Sequence, residues 1–208
     1  MSCGSLVLED VTGGWVENRP VFEGVSADVA GPGVVRLDGP NGAGKSTLVE
    51  LCSGYLEPMA GCVYVDGLPA GSRAAMTRRT VCRSSVSAFP EMSVLDHVNL
   101  TCALRGWERA AAMDWVERYE LSDWVRERAK NLSAGSLRKL WLFMCWPVRQ
   151  SVWILDEPFQ GLDGASVMRL CEDIRMWSRS GLAVVVAHDW PVGGLECGTL
   201  IGLERGEC

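Results

Sequence analysis

The sequence predicts an α/β fold built on a mostly parallel sheet. Two segments, Ser151–Leu155 and Leu182–Ala187, are apolar throughout, which is typical of strands that are buried on both faces. A third strand candidate, Gly33–Asp38, leads through a glycine-rich turn into a helical pattern. Strands that alternate with helices in this way form a parallel sheet covered on both sides.

The first half of the chain holds the shorter predicted elements. Leu6–Val11 has the composition of a short strand, and Lys45–Cys52 has the apolar spacing of a helix. Cys62–Val65 alternates between apolar and other residues and stops at an Asp-Gly turn signal. Thr80–Arg83 is a further strand candidate, and a polar stretch follows it.

The middle of the chain is helical in character. Across Ser93–Lys130, apolar residues recur with helical periodicity while charged residues fall on the other side. We therefore expect an inserted helical lobe here. Leu132–Trp146 and Ser166–Arg179 are predicted to be the helices that separate the later strands.

Length and charge exclude several classes of protein. The chain has 208 residues, which suits one domain with a sizeable core. Its net charge of −6 argues against a nucleic-acid partner, because binding to a phosphate backbone needs a basic surface. The longest strongly apolar run, Leu140–Val148, is far shorter than the roughly 20 residues of a membrane-spanning helix. The N-terminus lacks the basic start of a signal peptide, so we expect a cytosolic protein.

Cysteine and tryptophan are both abundant. The nine cysteines are odd in number and form no C-x-x-C pair, so neither a disulfide framework nor a zinc site is indicated. We expect small buried cysteines in a reducing compartment. Trp107, Trp115 and Trp124 are interpreted as packing anchors in the helical stretches.

A glycine-rich segment carries the clearest chemical signal. Residues 39–46 read GPNGAGKS, which fits G-x-x-x-x-G-K-[ST] between a predicted strand and a predicted helix. Inward-facing N–H groups of such a turn form a nest for phosphate oxygens, and the helix N-terminus points at the same anions. We expect Lys45 to reach the β- and γ-phosphates and the Ser46 hydroxyl to ligate Mg²⁺. The motif alone indicates a nucleotide-binding site and does not distinguish between the classes of protein that contain one.

Two acids follow the apolar strand at Ser151–Leu155. Asp156 leaves the strand at its carboxyl edge, where it can hold Mg²⁺ directly or through water. Glu157 then stands where a carboxylate can accept the proton of an attacking water. Taken alone, the segment fits equally well a strand that ends in two solvated acids.

A short segment upstream decides between these possibilities. Leu132–Ser136 reads LSAGS and resembles the LSGGQ signature of ABC ATPases, although alone it also fits a plain helix N-cap. Leu155–Pro158, Gly161–Asp163 and His188 follow it in the order and at about the spacing of that family. The chain, from about residue 6 to residue 203, therefore resembles a single ABC nucleotide-binding domain.

The resemblance implies an architecture. It is that of a P-loop NTPase: one domain over residues 1–208, with a RecA-like, mostly parallel core over about 1–85 and 132–208. The family also has an antiparallel β subdomain and an inserted α-helical lobe, which would be about 86–131 here.

The resemblance also implies roles for individual residues. Trp15 matches the aromatic residue that stacks on adenine, although a hydrophobic loop residue would fit the position too. Asp163 matches the loop that communicates between subunits, and His188 matches the histidine that contacts the γ-phosphate and holds the catalytic carboxylate. His97 matches nothing in the family and is expected to be an ordinary helix residue.

The implied site has three groups of residues. The catalytic group is Glu157, His188 and Lys45, and the metal-binding group is Ser46 and Asp156. The nucleotide-binding group is Trp15, Gly39, Pro40, Asn41, Gly42, Ala43, Gly44, Lys45, Ser46, Thr47, Ser133, Gly135 and Asp163.

The implied function is ATP binding and hydrolysis, with ATP and Mg²⁺, in an ABC transporter. Two such domains pair as a homodimer or a heterodimer and drive a separate integral-membrane permease. Each ATP lies between the glycine loop of one domain and the signature helix of the other. The expected location is the cytoplasmic face of the cell membrane, without a nucleic-acid partner. Export is favoured, and the segment Trp153–Phe159 resembles small ATPases of haem-exporter and cytochrome c maturation systems or of drug and peptide exporters.

One departure from the family keeps alternatives open. The family places a metal-binding glutamine where this chain has Ser84 or Ser85, which would shorten the reach to the metal. This departure favours an ATP-gated, poorly hydrolysing interaction module as an alternative. A soluble repair or translation ATPase lacks support because no coiled-coil insertion, zinc module or second cassette is present, and a P-loop kinase is disfavoured by the signature segment and His188.

Overall fold

A computed structural model describes residues 3–191 and 193–203. The strands are β1 (Ser5–Gly13), β2 (Phe22–Ala30), β3 (Gly33–Asp38), β4 (Ala60–Val65), β5 (Leu68–Pro69), β6 (Arg79–Cys82), β7 (Val152–Asp156), β8 (Leu182–Val186) and β9 (Thr199–Gly202). The helices are α1 (Lys45–Ser53), α2 (Arg73–Met76), α3 (Val94–Arg105), α4 (Arg109–Arg118), α5 (Ala134–Met144) and α6 (Gly164–Trp177).

The strands form two sheets of opposite character. The larger sheet is parallel and has the order β6-β7-β8-β3-β9. The smaller sheet is antiparallel and has the order β2-β1-β4-β5. This confirms the predicted P-loop NTPase fold, with a parallel core sheet and an antiparallel subdomain.

Strand β7 shows why the central strands are apolar throughout. Trp153 and Leu155 belong to a core on the side of α3 to α6, whereas Val152 and Ile154 belong to a core shared with α1 and the antiparallel sheet. Successive side chains of a strand point to opposite faces, so a strand covered on both faces needs apolar residues at every position. All five residues of β7 are buried.

The structure differs from the sequence prediction in several places. Strands β2 and β9 were not predicted; each lies at the edge of its sheet, where half-exposed residues give little apolar contrast. Helix α5 begins at Ala134, because Leu132 and Ser133 are extended and Ser133 is the N-cap. Trp115 is buried as predicted, but Trp124 is 46% exposed, so its interpretation as a packing anchor is wrong.

Candidate functional site

The glycine-rich loop joins β3 to α1 at the carboxyl edge of the parallel sheet. Its last glycine, Gly44, is the N-cap of α1 with φ of 92°, a left-handed conformation that glycine adopts readily, and no side chain caps the helix. A Cβ atom at Gly44 would lie 2.7 Å from Cδ1 of Phe22, so packing as well as backbone conformation requires glycine here. The helix N-terminus is thus open to an anion.

Two side chains lie against this loop. The ammonium group of Lys45 turns back and donates to the carbonyl oxygens of Gly39 at 2.6 Å and Pro40 at 3.2 Å. Trp15 is 56% exposed, and its indole N–H donates to the hydroxyl of Thr47 at 3.2 Å. The structure therefore brings Trp15, distant in sequence, to the edge of the glycine loop, with most of its ring surface free.

Oxygen ligands suited to a metal meet where α1 begins and β7 ends. The Ser46 hydroxyl donates to Oδ2 of Asp156 at 3.2 Å, while Oδ1 of the buried Asp156 carboxylate has no partner among the described residues. Burial raises the pKa of Asp156, and the hydroxyl and N–H of Ser84 and the hydroxyl of Ser46 act in the opposite direction. A buried carboxylate oxygen beside a hydroxyl is a ligand set that Mg²⁺ accepts.

Glu157, directly after β7, is held in an uncommon conformation. Its φ is 49°, in the left-handed region that costs a non-glycine residue free energy. The backbone N–H of His188 donates to both oxygens of its carboxylate, at 3.0 and 3.1 Å. The backbone of His188, rather than its exposed imidazole, therefore fixes the Glu157 carboxylate.

Glu157 lies beside open space. Together with Gly161, His188 and Trp190 it lines a cavity of about 630 Å³. Since Glu157 is held by His188 and also lines this cavity, there is room for a water molecule beside the residue. This is the arrangement that a general base needs.

The segment that resembles the signature lies at the start of α5. The hydroxyl of Ser133 accepts a hydrogen bond from the N–H of Ser136 at 3.1 Å, so Ser133 is the N-cap. Ser133 is exposed, and Gly135 approaches the backbone of Gly161 so closely that a Cβ atom would lie 3.1 Å from its oxygen. The turn therefore presents a helix N-terminus to solvent.

Asp163 is tied to the same helix. It caps α6 by accepting from the N–H of Ser166 at 2.8 Å, and Lys139 of α5 lies 3.3 Å from its carboxylate. The N–H of Ser166, with smaller contributions from the Ser166 hydroxyl and Lys139, lowers the pKa of Asp163 to about 2. Asp163 is thus ionised and fixed between α5 and α6.

The family model described as ABC transporter matches residues 22–160, well over half of the chain. This chain belongs to the ABC transporter family. The predicted membership is confirmed.

Individual relatives agree with this assignment. The ABC ATPase is 32% identical over 174 residues to the cytochrome c biogenesis ATP-binding export protein CcmA of Aromatoleum aromaticum, covering 81% of each chain. It is 26% identical over 212 residues to the ABC-type transporter ATP-binding protein EcsA of Bacillus subtilis, covering 97% of this chain and 84% of that protein. A solved structure described as the ATP binding subunit of an ABC transporter has the same fold, with a TM-score of 0.85 at 21% identity over 98% of this chain and 88% of the other.

These findings make the chain the ATP-binding subunit of an ABC transporter and an ABC-type ATPase. Members of this family work with membrane permease subunits. Within residues 3–191 and 193–203, every helix is too short or too polar to cross a bilayer.

Two residues of this ABC ATPase were missed or undervalued by sequence reasoning. Arg138 is buried in α5, and its guanidinium contacts the backbone beside both Ser84 and Glu157. An arginine within the mostly apolar stretch 137–144 is the signal that could have revealed it. His97 is fully buried; its Nε2 accepts from the N–H of Phe89 at 3.0 Å, so it does more than occupy a helix position.

Proposed function

We propose that this ABC ATPase binds Mg-ATP with its adenine against Trp15 and its phosphates in the glycine loop. The N-terminus of α1 and the released ammonium group of Lys45 stabilise the negative charge of the phosphates. Ser46 and Asp156 hold Mg²⁺, which neutralises charge that develops on the phosphate oxygens. Residues of the loop that supply backbone groups are Gly39, Pro40, Asn41, Gly42, Ala43, Gly44 and Thr47.

Glu157 is proposed as the base that orients and deprotonates the attacking water. Its carboxylate is within hydrogen-bonding distance of the His188 backbone and borders the cavity, so it is oriented without being enclosed. The His188 side chain, exposed beside it, is placed to contact the γ-phosphate. Ser84, whose carbonyl oxygen accepts from the same Arg138 guanidinium as the carbonyl oxygen of Asp156, is proposed to occupy the place of the family's glutamine, in preference to Ser85.

The proposed active unit is a head-to-tail pair, either two copies of this chain or one copy with a related ATPase. One observation carries this proposal: the turn of Ser133 and Gly135 presents an exposed helix N-terminus that, among the described residues, makes no hydrogen bond to the glycine loop of its own chain. A second helix N-terminus, supplied by the partner, would complete the electrostatic cage around the γ-phosphate. Asp163, fixed beside this turn, would lie at the interface. Hydrolysis would then let the pair open.

The pair can be tested by trapping it. Glu157→Gln keeps the shape of the site and removes the base, so ATP and Mg²⁺ should shift the protein to a dimer in light scattering. Adding Ser133→Arg should abolish the dimer while each monomer still binds ATP. A Glu157→Gln protein that hydrolyses ATP at the wild-type rate would refute the base, and one that stays monomeric with saturating Mg-ATP, alone and with its permease, would refute the pair.

A cavity of about 440 Å³ is proposed as the docking place of the permease; Arg83, which lines it, directly precedes the segment from Ser84 to Val98. The charged residues that line it are all arginines, Arg79, Arg83 and Arg105, on a protein whose net charge is −6. Arg83 pairs with Glu50 at 2.6 Å, whereas Arg79 and Arg105 have no carboxylate partner among the described residues.

The rim of this cavity is apolar. Tyr55 and Met76 line it and are 75% and 53% exposed. We therefore propose that the permease inserts a cytoplasmic segment that combines an apolar side chain with a carboxylate, since that combination complements the rim and the arginines. Docking there would place the subunit at the cytoplasmic face of the membrane. The residues over about 86–131, which include α3 and α4, would act as the helical lobe that moves with the permease.

Docking can be tested by isolating the subunit from membranes together with its permease. Tyr55→Asp should abolish co-purification, because it removes an apolar contact and repels the proposed carboxylate. Leu200→Asp is the matched control, since Leu200 is 59% exposed on the edge strand β9. Equal loss in both variants, or no loss in either, would refute the cavity as the docking place.

Export is the proposed direction of transport. The support is the likeness to proteins described as cytochrome c biogenesis export proteins, at 32% identity over 81% of the chain. Identification of the permease that co-purifies with the subunit would test this proposal, and an importer permease with a substrate-binding protein would refute it.

A further inference from the structure

Arg138 is a buried cation without a carboxylate partner among the described residues. It lies within α5, five residues after Ser133, and is 3% exposed. A buried guanidinium costs free energy unless its donors are used, and an apolar side chain of similar size would fill the same space more cheaply. Stability alone therefore does not explain an arginine at this position.

The two terminal nitrogens of Arg138 donate to the backbone of two separate segments, while its buried Nε has no partner among the described residues. One terminal nitrogen donates to the carbonyl oxygens of Arg83 and Ser84, both at 3.0 Å. The other donates to the carbonyl oxygens of Asp156, at 3.2 Å, and of Glu157. One planar group thus joins the segment that follows β6 to the segment that follows β7.

The segment that follows β7 contains a strained backbone conformation, at Glu157. Glu157 has a φ of 49°, and such conformations persist only where the surroundings over-determine them. Its N–H donates to Val186 at 2.8 Å, its carboxylate accepts from His188, and its carbonyl oxygen accepts from Arg138. The Glu157 carbonyl oxygen also accepts from the N–H of Gln160 at 3.2 Å, and Arg138 of α5 is the side chain that donates to it.

The segment that follows β6 contains Ser84, a short residue at the place where the family has a glutamine. A serine hydroxyl reaches less far than a glutamine amide, so Ser84 can replace that glutamine only if its backbone is held near the end of β7. Arg138 bridges the carbonyl oxygens of Ser84 and Asp156, at 3.0 and 3.2 Å, and so holds the two backbones together. The rigid fork of a guanidinium fixes the spacing between the carbonyl groups that it bridges, which a single ammonium group does not do.

We propose that Arg138 is a positioning residue for ATP hydrolysis, which holds Ser84 against Asp156 and fixes the backbone of Glu157. The inference rests on the proposed roles of Asp156 and Glu157. It adds that the helix bearing the signature turn is tied directly to the metal-binding and catalytic segments of its own subunit. A movement of α5 would therefore be transmitted to both segments.

The test replaces Arg138 by Lys, which keeps the charge, and by Gln, which keeps two donors. Either variant should lower kcat about 10- to 100-fold and raise the Mg²⁺ concentration for half-maximal activity, as loss of outer-shell support does. ATP affinity, measured by tryptophan fluorescence, should change by less than about twofold, because Arg138 contacts no part of the glycine loop. Wild-type values for kcat and for the Mg²⁺ requirement in a folded variant would overturn the proposal.

A double-mutant cycle separates positioning from general destabilisation. Ser84→Ala should raise the Mg²⁺ requirement in the wild-type background and much less in the Arg138→Lys background, because the two residues act together. Additive effects, or no effect of Ser84→Ala, would overturn the link. Arg169→Met is the control: it removes an ion pair with Glu120 at 3.0 Å and should lower the unfolding midpoint without changing the Mg²⁺ requirement.

The test of Arg138 is independent of the proposed head-to-tail pair and of the proposed role of Glu157 as base. If Glu157→Gln still abolishes hydrolysis but Arg138→Lys behaves as wild type, only the role of Arg138 fails. If Glu157→Gln leaves hydrolysis intact, the proposed base fails, and the Mg²⁺ requirement of Arg138→Lys still tests the link to Ser84 and Asp156.

Discussion

The two helix N-termini that define this ABC ATPase are built in opposite ways. The N-cap of α1 is Gly44, which has no side chain to cap the helix, and the loop before it contains three glycines, Gly39, Gly42 and Gly44. Helix α5 starts at Ser133, whose hydroxyl accepts from the N–H of Ser136. The first N-terminus leaves its donors for a ligand, whereas the second is already capped by its own residue.

Whether a helix N-terminus is capped decides which ligand it can bind. An uncapped N-terminus gains stability when an anion binds, because orphan N–H groups then find acceptors. A capped and exposed N-terminus is stable without ligand and still carries the positive end of the helix dipole. The glycine loop is thus suited to bind phosphate within one chain, and the turn of Ser133 is suited to be presented to another.

The largest expected effect lies at the uncapped end. Lys45→Ala should lower kcat about 100-fold or more, because it removes the charge that we propose stabilises the transferred phosphoryl group. Phosphate release by the purified protein measures it. Lys130→Ala, which removes a lysine from an exposed pair with Glu91, should leave kcat unchanged. A comparable loss in both variants would show that the effect is one of net charge.

The next effect concerns the glycine that makes α1 uncapped. Gly44→Ala should lower the free energy of unfolding by about 1–3 kcal/mol, since the residue has positive φ and its Cβ atom would contact Phe22. Denaturant unfolding measures it. Gly67→Ala is a matched control with φ of 74° and no atom within 4 Å of the added Cβ. Equal losses would mean that packing against Phe22 contributes nothing.

A smaller effect is expected at the capped end. Ser133→Ala removes the N-cap of α5 and should lower the free energy of unfolding by about 1 kcal/mol. Ser93→Ala, which removes the N-cap of α3, provides the comparison for a cap remote from the proposed interface. If Ser133→Ala does not change stability, the contrast between the two N-termini is wrong.

The smallest effect concerns Asp163, the N-cap of α6. Its pKa in the folded state is about 2, below its ordinary value of 3.8, so the ionised form stabilises the fold above pH 3.8. That contribution is lost as the pH falls from about 4 towards 2. The difference in unfolding free energy between wild type and Asp163→Asn should therefore shrink between pH 5 and pH 3; a constant difference would contradict the assignment.

Much of the site could be predicted because its residues sit in ordered motifs. The glycine loop between β3 and α1 and the two acids after β7 are local patterns whose chemistry depends on a strand end and a helix start. The edge strands β2 and β9 could not be predicted, because their stability comes from pairing with β1 and β3 and hardly from their own apolar pattern. Which serine lies beside the end of β7 likewise depends on a contact between distant segments, the parallel pairing of β6 with β7.

The sequence by itself determined the fold class, the order of the motifs and the family, because apolar periodicity and turn chemistry are local. Only the tertiary structure decided that the backbone of His188 holds Glu157 and that Arg138 joins the ends of β6 and β7. These contacts link residues 18 to 55 positions apart and use backbone atoms. Every residue has the same backbone atoms, so a pattern of side chains in the sequence cannot predict such contacts. They exist because parallel strands bring the ends of distant segments to one edge of the sheet.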